Sequence, residues 1–143
     1  MLNLYGDKVK DMAAGHGVDV ATQRADDLDM RAVEFCQTKK KPLVLDLACG
    51  TGFWTEAMTE AHTIVGADYN DAVLQIARAK GIAGASFVRA DNDALPFRAG
   101  DFDVMTAGCW WSHVPLQRLR QHIEGLHRTL GPNVRVLWFD NQY

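Results

Sequence analysis

Leu43-Val44-Leu45-Asp46-Leu47-Ala48-Cys49-Gly50-Thr51-Gly52-Phe53-Trp54-Thr55 is the stretch that decides the fold. An apolar run of strand character ends in an acid, and a loop of small residues follows. After the loop, Trp54, Ala57, Met58 and Ala61 recur at helical spacing, the mark of a helix packing on a sheet. A loop without bulky side chains lets the backbone approach a ligand closely, and the following helix points its N-terminus at the same place. The segment therefore predicts a strand–loop–helix unit built around a nucleotide-like ligand.

The pattern repeats downstream. Thr63–Ala67 reads as a second strand ending in Asp68, and Asn70 or Asp71 as the cap of a helix whose Val73, Leu74, Ile76 and Ala77 face inward. Gly81 closes that helix. Ala85–Ala90 is a third strand, again followed by an acid, Asp91, and Leu95-Pro96-Phe97 forms an apolar turn. A fourth strand spans Phe102–Ala107 and runs into Gly108-Cys109-Trp110-Trp111-Ser112-His113. Leu116, Leu119, Ile123, Leu126 and Leu130 then trace a helical stripe between Pro115 and Gly131-Pro132, and Val134–Phe139 is the last strand. Upstream, Asp7–Ala14 could form two helical turns, and Asp27–Thr38 is a firmer amphipathic helix stopped by Pro42.

Alternating strands and helices imply right-handed crossovers and an α/β, doubly wound parallel sheet with helices on both faces. Ligands of such sheets bind at the carboxyl ends of the strands, where Asp46, Asp68 and Asp91 all stand. At 143 residues the chain is expected to be one domain, with residues 1–41 as a helical extension and 42–143 as the core. A formal charge of −3 gives no general attraction to nucleic acid, and Lys39-Lys40-Lys41 reads as a solvated turn. No apolar run approaches the ~20 residues of a membrane span, and the amino terminus lacks the plan of a secretory signal. Cys36, Cys49 and Cys109 have no CxxC spacing, so neither a metal site nor a disulfide framework is expected. A reduced, cytoplasmic setting fits these features.

Two ligand readings compete at the loop. A dinucleotide-binding loop wants GxGxxG, and here Thr55 stands at the third glycine position. An acid just before the loop is unfavourable beside a phosphate and favourable beside a cationic or zwitterionic ligand.

The same residues resemble the motifs of the class I S-adenosylmethionine-dependent methyltransferases. Asp46-Leu47-Ala48-Cys49-Gly50-Thr51-Gly52 is similar to their first motif, with Ala48 in place of the commoner glycine. Val65-Gly66-Ala67-Asp68-Tyr69-Asn70 resembles the second, Arg89–Phe97 the third, Asp101-Phe102-Asp103-Val104 the fourth and Leu126–Pro132 the fifth. The resemblance covers roughly residues 42–140.

It implies a Rossmann-like sheet of about five parallel strands in the order 3-2-1-4-5, with S-adenosylmethionine as cofactor and S-adenosylhomocysteine as product. In that frame Asp46 attracts the ammonium end, directly or through water, and the backbone of Ala48, Cys49, Gly50 and Gly52 makes room for the methionine moiety. Asp68 offers two oxygens to two ribose hydroxyls, Asp91 and the Asn92 backbone read the adenine edge, and Tyr69 packs on the ring. Carbonyls at Ala107 and Gly108 face the methionine end. His113 is the candidate catalytic base, and one of Trp110 and Trp111 is expected to line the acceptor pocket. Cys49 reads as a small loop residue and Trp54 as core.

The sequence lacks the Asp/Asn-Pro-Pro-aromatic signature of many base and glutamine N-methyltransferases, which shifts weight toward a small-molecule acceptor. Members of the family normally continue past the fifth strand with a helix and an antiparallel strand pair, and this chain stops at Tyr143. The expectation is either a fragment or a reduced version of the fold, catalytic or a cofactor-binding module that does not turn over alone. Its fifth strand would then be an apolar edge open to self-association.

Overall fold

The computed structural model describes residues 42–59 and 63–140. The helices expected at Asp7–Ala14 and Asp27–Thr38, the lysine turn and Cys36 lie outside the described residues.

Five strands form one parallel sheet: β1 (Leu43–Leu47), β2 (Thr63–Asp68), β3 (Ala85–Arg89), β4 (Val104–Gly108) and β5 (Arg135–Phe139), in the order β3-β2-β1-β4-β5. The expected order is the observed one. Helices α1 (Phe53–Met58), α2 (Asp71–Ala79) and α3 (Leu116–Leu130) make the crossovers, and a single 3-10 turn covers Trp111–His113. The central strands β1 and β4 are buried on both faces, which is why they read as nearly continuous apolar runs.

Side chains alternate across the sheet and feed two cores. Leu45, Leu47, Ala67, Met105 and Ala107 meet Leu126 and Leu130 of α3 on one face. Val44, Ile64 and Val104 meet Met58 of α1 on the other. Gly66 marks a tight crossing on that second face. A Cβ there would come within 2.6 Å of the Phe87 ring and 2.9 Å of Cys49 Sγ, so the absent side chain makes room for both.

Helix α2 is capped by Asn70, whose side chain accepts from the Ala72 N–H at 3.0 Å. Leu74 and Ala77 are buried as expected, but Ile76 is 40% exposed, because the helix touches the sheet near the β3 edge along a narrow stripe. The α3 stripe also departs from expectation. Leu116 (80%) and Ile123 (42%) are exposed, while His122 at 5% takes an inward position between Leu119 and Leu126. Boundaries shift slightly: β3 ends at Arg89, β4 starts at Val104 and β5 at Arg135. Leu95-Pro96-Phe97 is a non-helical turn, with Phe97 edge-on to Phe102 at 4.9 Å.

Candidate functional site

The site lies along the carboxyl edge of the sheet, where β1, β2, β3 and β4 deliver the loop residues. Its base is Asp46, 1% exposed. Thr55 of α1 donates to Asp46 Oδ2 at 2.5 Å, and Thr106, its register partner on β4, donates to Oδ1 at 3.2 Å. Burial pushes this carboxyl up from 3.8 to about 6, against the lowering effect of the two hydroxyls. Asp46 thus sits beneath the loop and ties β1 to α1 and β4, away from the open rim on which direct attraction of a ligand would depend.

The loop above it turns through left-handed backbone. Ala48 has φ 54°, Gly50 55° and Gly52 76°. Ala48 carries a Cβ in a conformation that favours glycine, which gives a physical reason for glycine being commoner there. Three of the loop amides are committed within the protein. Cys49 N–H donates to Ala67 O at 3.1 Å, Gly50 N–H to Asp68 Oδ2 at 3.0 Å and Gly52 N–H to Cys49 O at 2.9 Å. A phosphate cradle needs such groups turned outward, and here a carboxylate already occupies one of them. Gly50 faces open space, with nothing within 4 Å of where its Cβ would be. The loop therefore suits a ligand that packs close to the backbone and carries no phosphate. Burial, with Asp46 and Asp68 adding, pushes the Cys49 thiol up, so it remains a protonated packing residue.

Asp68 closes β2 at 8% exposure. Its Oδ2 takes the Gly50 N–H and its Oδ1 the Asn70 N–H at 2.9 Å, which fixes the carboxylate and leaves a further acceptor direction on each oxygen. Two fixed acceptors on one carboxylate match a pair of neighbouring hydroxyls.

Beyond β3, Asp91 and Asn92 line a cavity of about 260 Å³ together with Tyr69, Trp110 and His113. Asp91 also organises its own turn, accepting from the Asp93 N–H at 2.9 Å. Tyr69 is 68% exposed at the cavity mouth. His113 ends the 3-10 turn, which Asp140 holds by accepting from the Ser112 N–H and hydroxyl. The adjacent tryptophans divide: Trp110 lines this cavity, and Trp111 packs edge-on against Trp138 at 4.6 Å. Trp54 is core, stacked edge-on with Phe139 at 4.6 Å. Ala107 and Gly108 end β4, and a Cβ on Gly108 would lie 2.6 Å from the Phe139 ring.

The structure thus gathers Tyr69, Asp91, Asn92, Trp110 and His113 around one cavity and sets Asp68 beside the glycine loop. Sequence reasoning missed Thr55, Thr106, Asp93, Arg118 and His122. The spacing of His122 from Leu119 and Leu126 is the one signal that places it on the inner face of α3. No cluster of histidine, cysteine or acidic side chains suited to a metal occurs among the described residues. Among them, too, no helix is long and apolar enough to cross a membrane.

Comparison with known proteins agrees with this geometry. A family model described as a methyltransferase domain matches residues 44–133. The demethylmenaquinone methyltransferase of Lactococcus lactis is 33% identical over 110 residues, covering 70% of this chain and 42% of that protein. The bovine protein named "Probable tRNA methyltransferase 9B" is 31% identical over 109 residues, covering 75% of this chain and 23% of that one. The chain thus spans less than half the length of these curated relatives. Among solved structures, the DhpI–SAH complex superposes with a TM-score of 0.72 at 23% identity, over 96% of this chain and 65% of that one. A SAM-dependent methyltransferase from Aquifex aeolicus gives 0.65 at 17% identity, over 78% of this chain and 63% of that one. These two likenesses concern the fold. With the family model matching most of the chain, from β1 to the end of α3, and the motif residues standing at the carboxyl edge of the sheet, the chain belongs to the class I S-adenosylmethionine-dependent methyltransferases.

Proposed function

We propose that this chain binds S-adenosylmethionine along the edge from the Ala48–Gly52 loop to Asn92 and directs methyl transfer to a small-molecule acceptor. Bound there, S-adenosylmethionine supplies a methyl group already activated on a positively charged sulfur. The observation that carries the reading is Asp68, a nearly buried carboxylate whose orientation is fixed by Gly50 and Asn70 and which keeps a free acceptor direction on each oxygen. It holds the ribose hydroxyls. Asp91 and the Asn92 backbone hold the adenine edge, and Tyr69 covers the ring. The Ala48–Gly52 backbone and the carbonyls of Ala107 and Gly108 bound the methionine end. Asp46 acts from below, its field reaching the ammonium through the loop it anchors.

What remains for the protein is alignment of donor and acceptor and removal of a proton where the acceptor carries one. His113, exposed at the end of the 3-10 turn that follows β4, is the base in this reading. A small-molecule acceptor is supported by the −3 formal charge and by the quinone-type substrate in the name of the Lactococcus lactis relative. The core from residue 42 onward acts as one domain with residues 1–41 as its extension, in a cytoplasmic setting.

Calorimetry with S-adenosylmethionine tests the binding, and transfer of a labelled methyl group to a panel of quinols, phenols and amines tests the reaction. Micromolar binding with transfer to one panel member is the expected result. Binding without transfer to any acceptor favours the second reading, a cofactor-binding module that needs further residues or a partner. That reading draws on the short span of the chain relative to its relatives. β5 is the outer strand of the described sheet, and Val136 (38%) and Trp138 (51%) are exposed along it, so we further propose self-association there. Light scattering at high concentration that detects monomer alone would remove this point.

A further inference from the structure

Among the described residues, three side chains carry buried polar atoms without a hydrogen-bond partner: Asn92 Oδ1 and His122 Nε2, on residues that line the cavity, and Trp111 Nε1, on a ring outside its lining. Asn92 and His122 line the same cavity, and the Trp111 ring packs beside His122 with centroids 5.8 Å apart. An unpaired buried polar atom costs roughly 1–3 kcal/mol, so two such atoms on residues lining one cavity call for a partner supplied from that cavity.

His122 is the best defined of the three. Its side chain is 4% exposed, and its Nδ1 lies 2.8 Å from Asp93 Oδ1. The other Asp93 oxygen takes Arg118. The hydrogen bond from His122 is the main cause holding the Asp93 carboxyl below its usual range, and Arg118 adds to it. Asp93 is therefore an anion that accepts from Nδ1–H, which in the neutral ring leaves Nε2 as an acceptor. The Trp110 ring lies against the imidazole at 4.4 Å and fixes its plane. The ionisable groups sharing the cavity with His122 are Tyr69, Asp91, Asp93, His113 and Arg118.

We propose that His122, oriented by Asp93, is a specificity-determining residue of this cavity whose Nε2 accepts a hydrogen bond from the amino N–H of the bound purine. This rests on the S-adenosylmethionine reading above. Bases held in protein pockets are read through hydrogen bonds to their polar edge between aromatic side chains, and Tyr69 and Trp110 both line this cavity.

The test is calorimetric titration of the full chain with S-adenosylhomocysteine and with its deaminated counterpart, which carries an oxo group where the amino group stood. The wild type is expected to prefer the amino ligand. His122→Phe keeps a ring and removes both nitrogens, while Asp93 retains Arg118 and partial exposure. This variant should bind the amino ligand roughly five- to tenfold more weakly and the oxo ligand unchanged. His122→Gln, which keeps a polar atom at similar reach, should recover part of the preference, and it serves if the Phe variant fails to fold. Equal weakening of both ligands would show a merely structural role and overturn the proposal, as would no change in either. Loss of the preference in Asp91→Ala but not in the His122 variants assigns the amino group to Asp91 alone, overturning the proposal and leaving the cofactor reading intact. Failure of the wild type to bind S-adenosylhomocysteine removes both.

Discussion

Asp46 and Asp91 are both acids at the carboxyl ends of parallel strands of one sheet, with β2 between them, and the protein treats them oppositely. Asp46 is enclosed, with a threonine on each oxygen and its carboxyl pushed up to about 6. Asp91 stands on an open cavity beside Asn92, where buried polar atoms still lack partners. One end of the rim has its hydrogen bonds closed and the other has them waiting. The difference comes from strand position: β1 lies at the centre of the sheet, covered by α1, while β3 is an edge strand. Asp68, on the strand between them, shares both characters, since backbone donors fix it and acceptor directions remain free.

The contrast can be broken by substitution, and the largest effect belongs to the middle residue. In the proposed binding mode Asp68→Ala removes charge-assisted bonds to two ligand hydroxyls and should weaken S-adenosylhomocysteine binding by about 3–4 kcal/mol in calorimetry, more than a hundredfold. On the closed side, Gly66→Ala forces a methyl group against Phe87 and Cys49 and should destabilise the fold by about 2–3 kcal/mol in urea unfolding.

Asp46→Asn sharpens the comparison further. The folded-state pKa of Asp46 lies above its ordinary value, so the folded protein holds the proton more tightly than the unfolded chain. Stability from this group is therefore greatest in acid and is lost as pH rises from about 4 to about 6. Asparagine avoids the buried charge, so the variant should gain about 1–2 kcal/mol over the wild type at pH 8 and nothing at pH 4, measured by denaturant titration at both. The smallest effect is expected from Ala48→Gly, which relieves left-handed backbone at an alanine and should raise stability by about 0.5–1 kcal/mol.

Much of this was legible in the sequence because strand ends and glycine loops are local patterns. The apolar runs at Leu43–Leu47 and Val104–Ala107 and the acids closing three strands suffice for the sheet and its ligand edge. What escaped was long-range. Thr106 meets Asp46 across 60 positions, and Asp93 meets His122 across 29, distances over which side-chain spacing carries no signal. Ile76, Leu116 and Ile123 show a different limit. Periodicity tells which residues could face the sheet, but the width of the contact decides which do, and these three lie outside it.

The internally bonded loop has a consequence for binding entropy. With Cys49, Gly50 and Gly52 already tied to Ala67, Asp68 and one another, the segment is ordered before any ligand arrives. Association then loses little chain freedom at the loop, so more of the contact energy appears as affinity. The cavity end keeps its unsatisfied atoms in reserve, and selectivity between similar ligands is decided there, after a scaffold that needs no rearrangement has already received them.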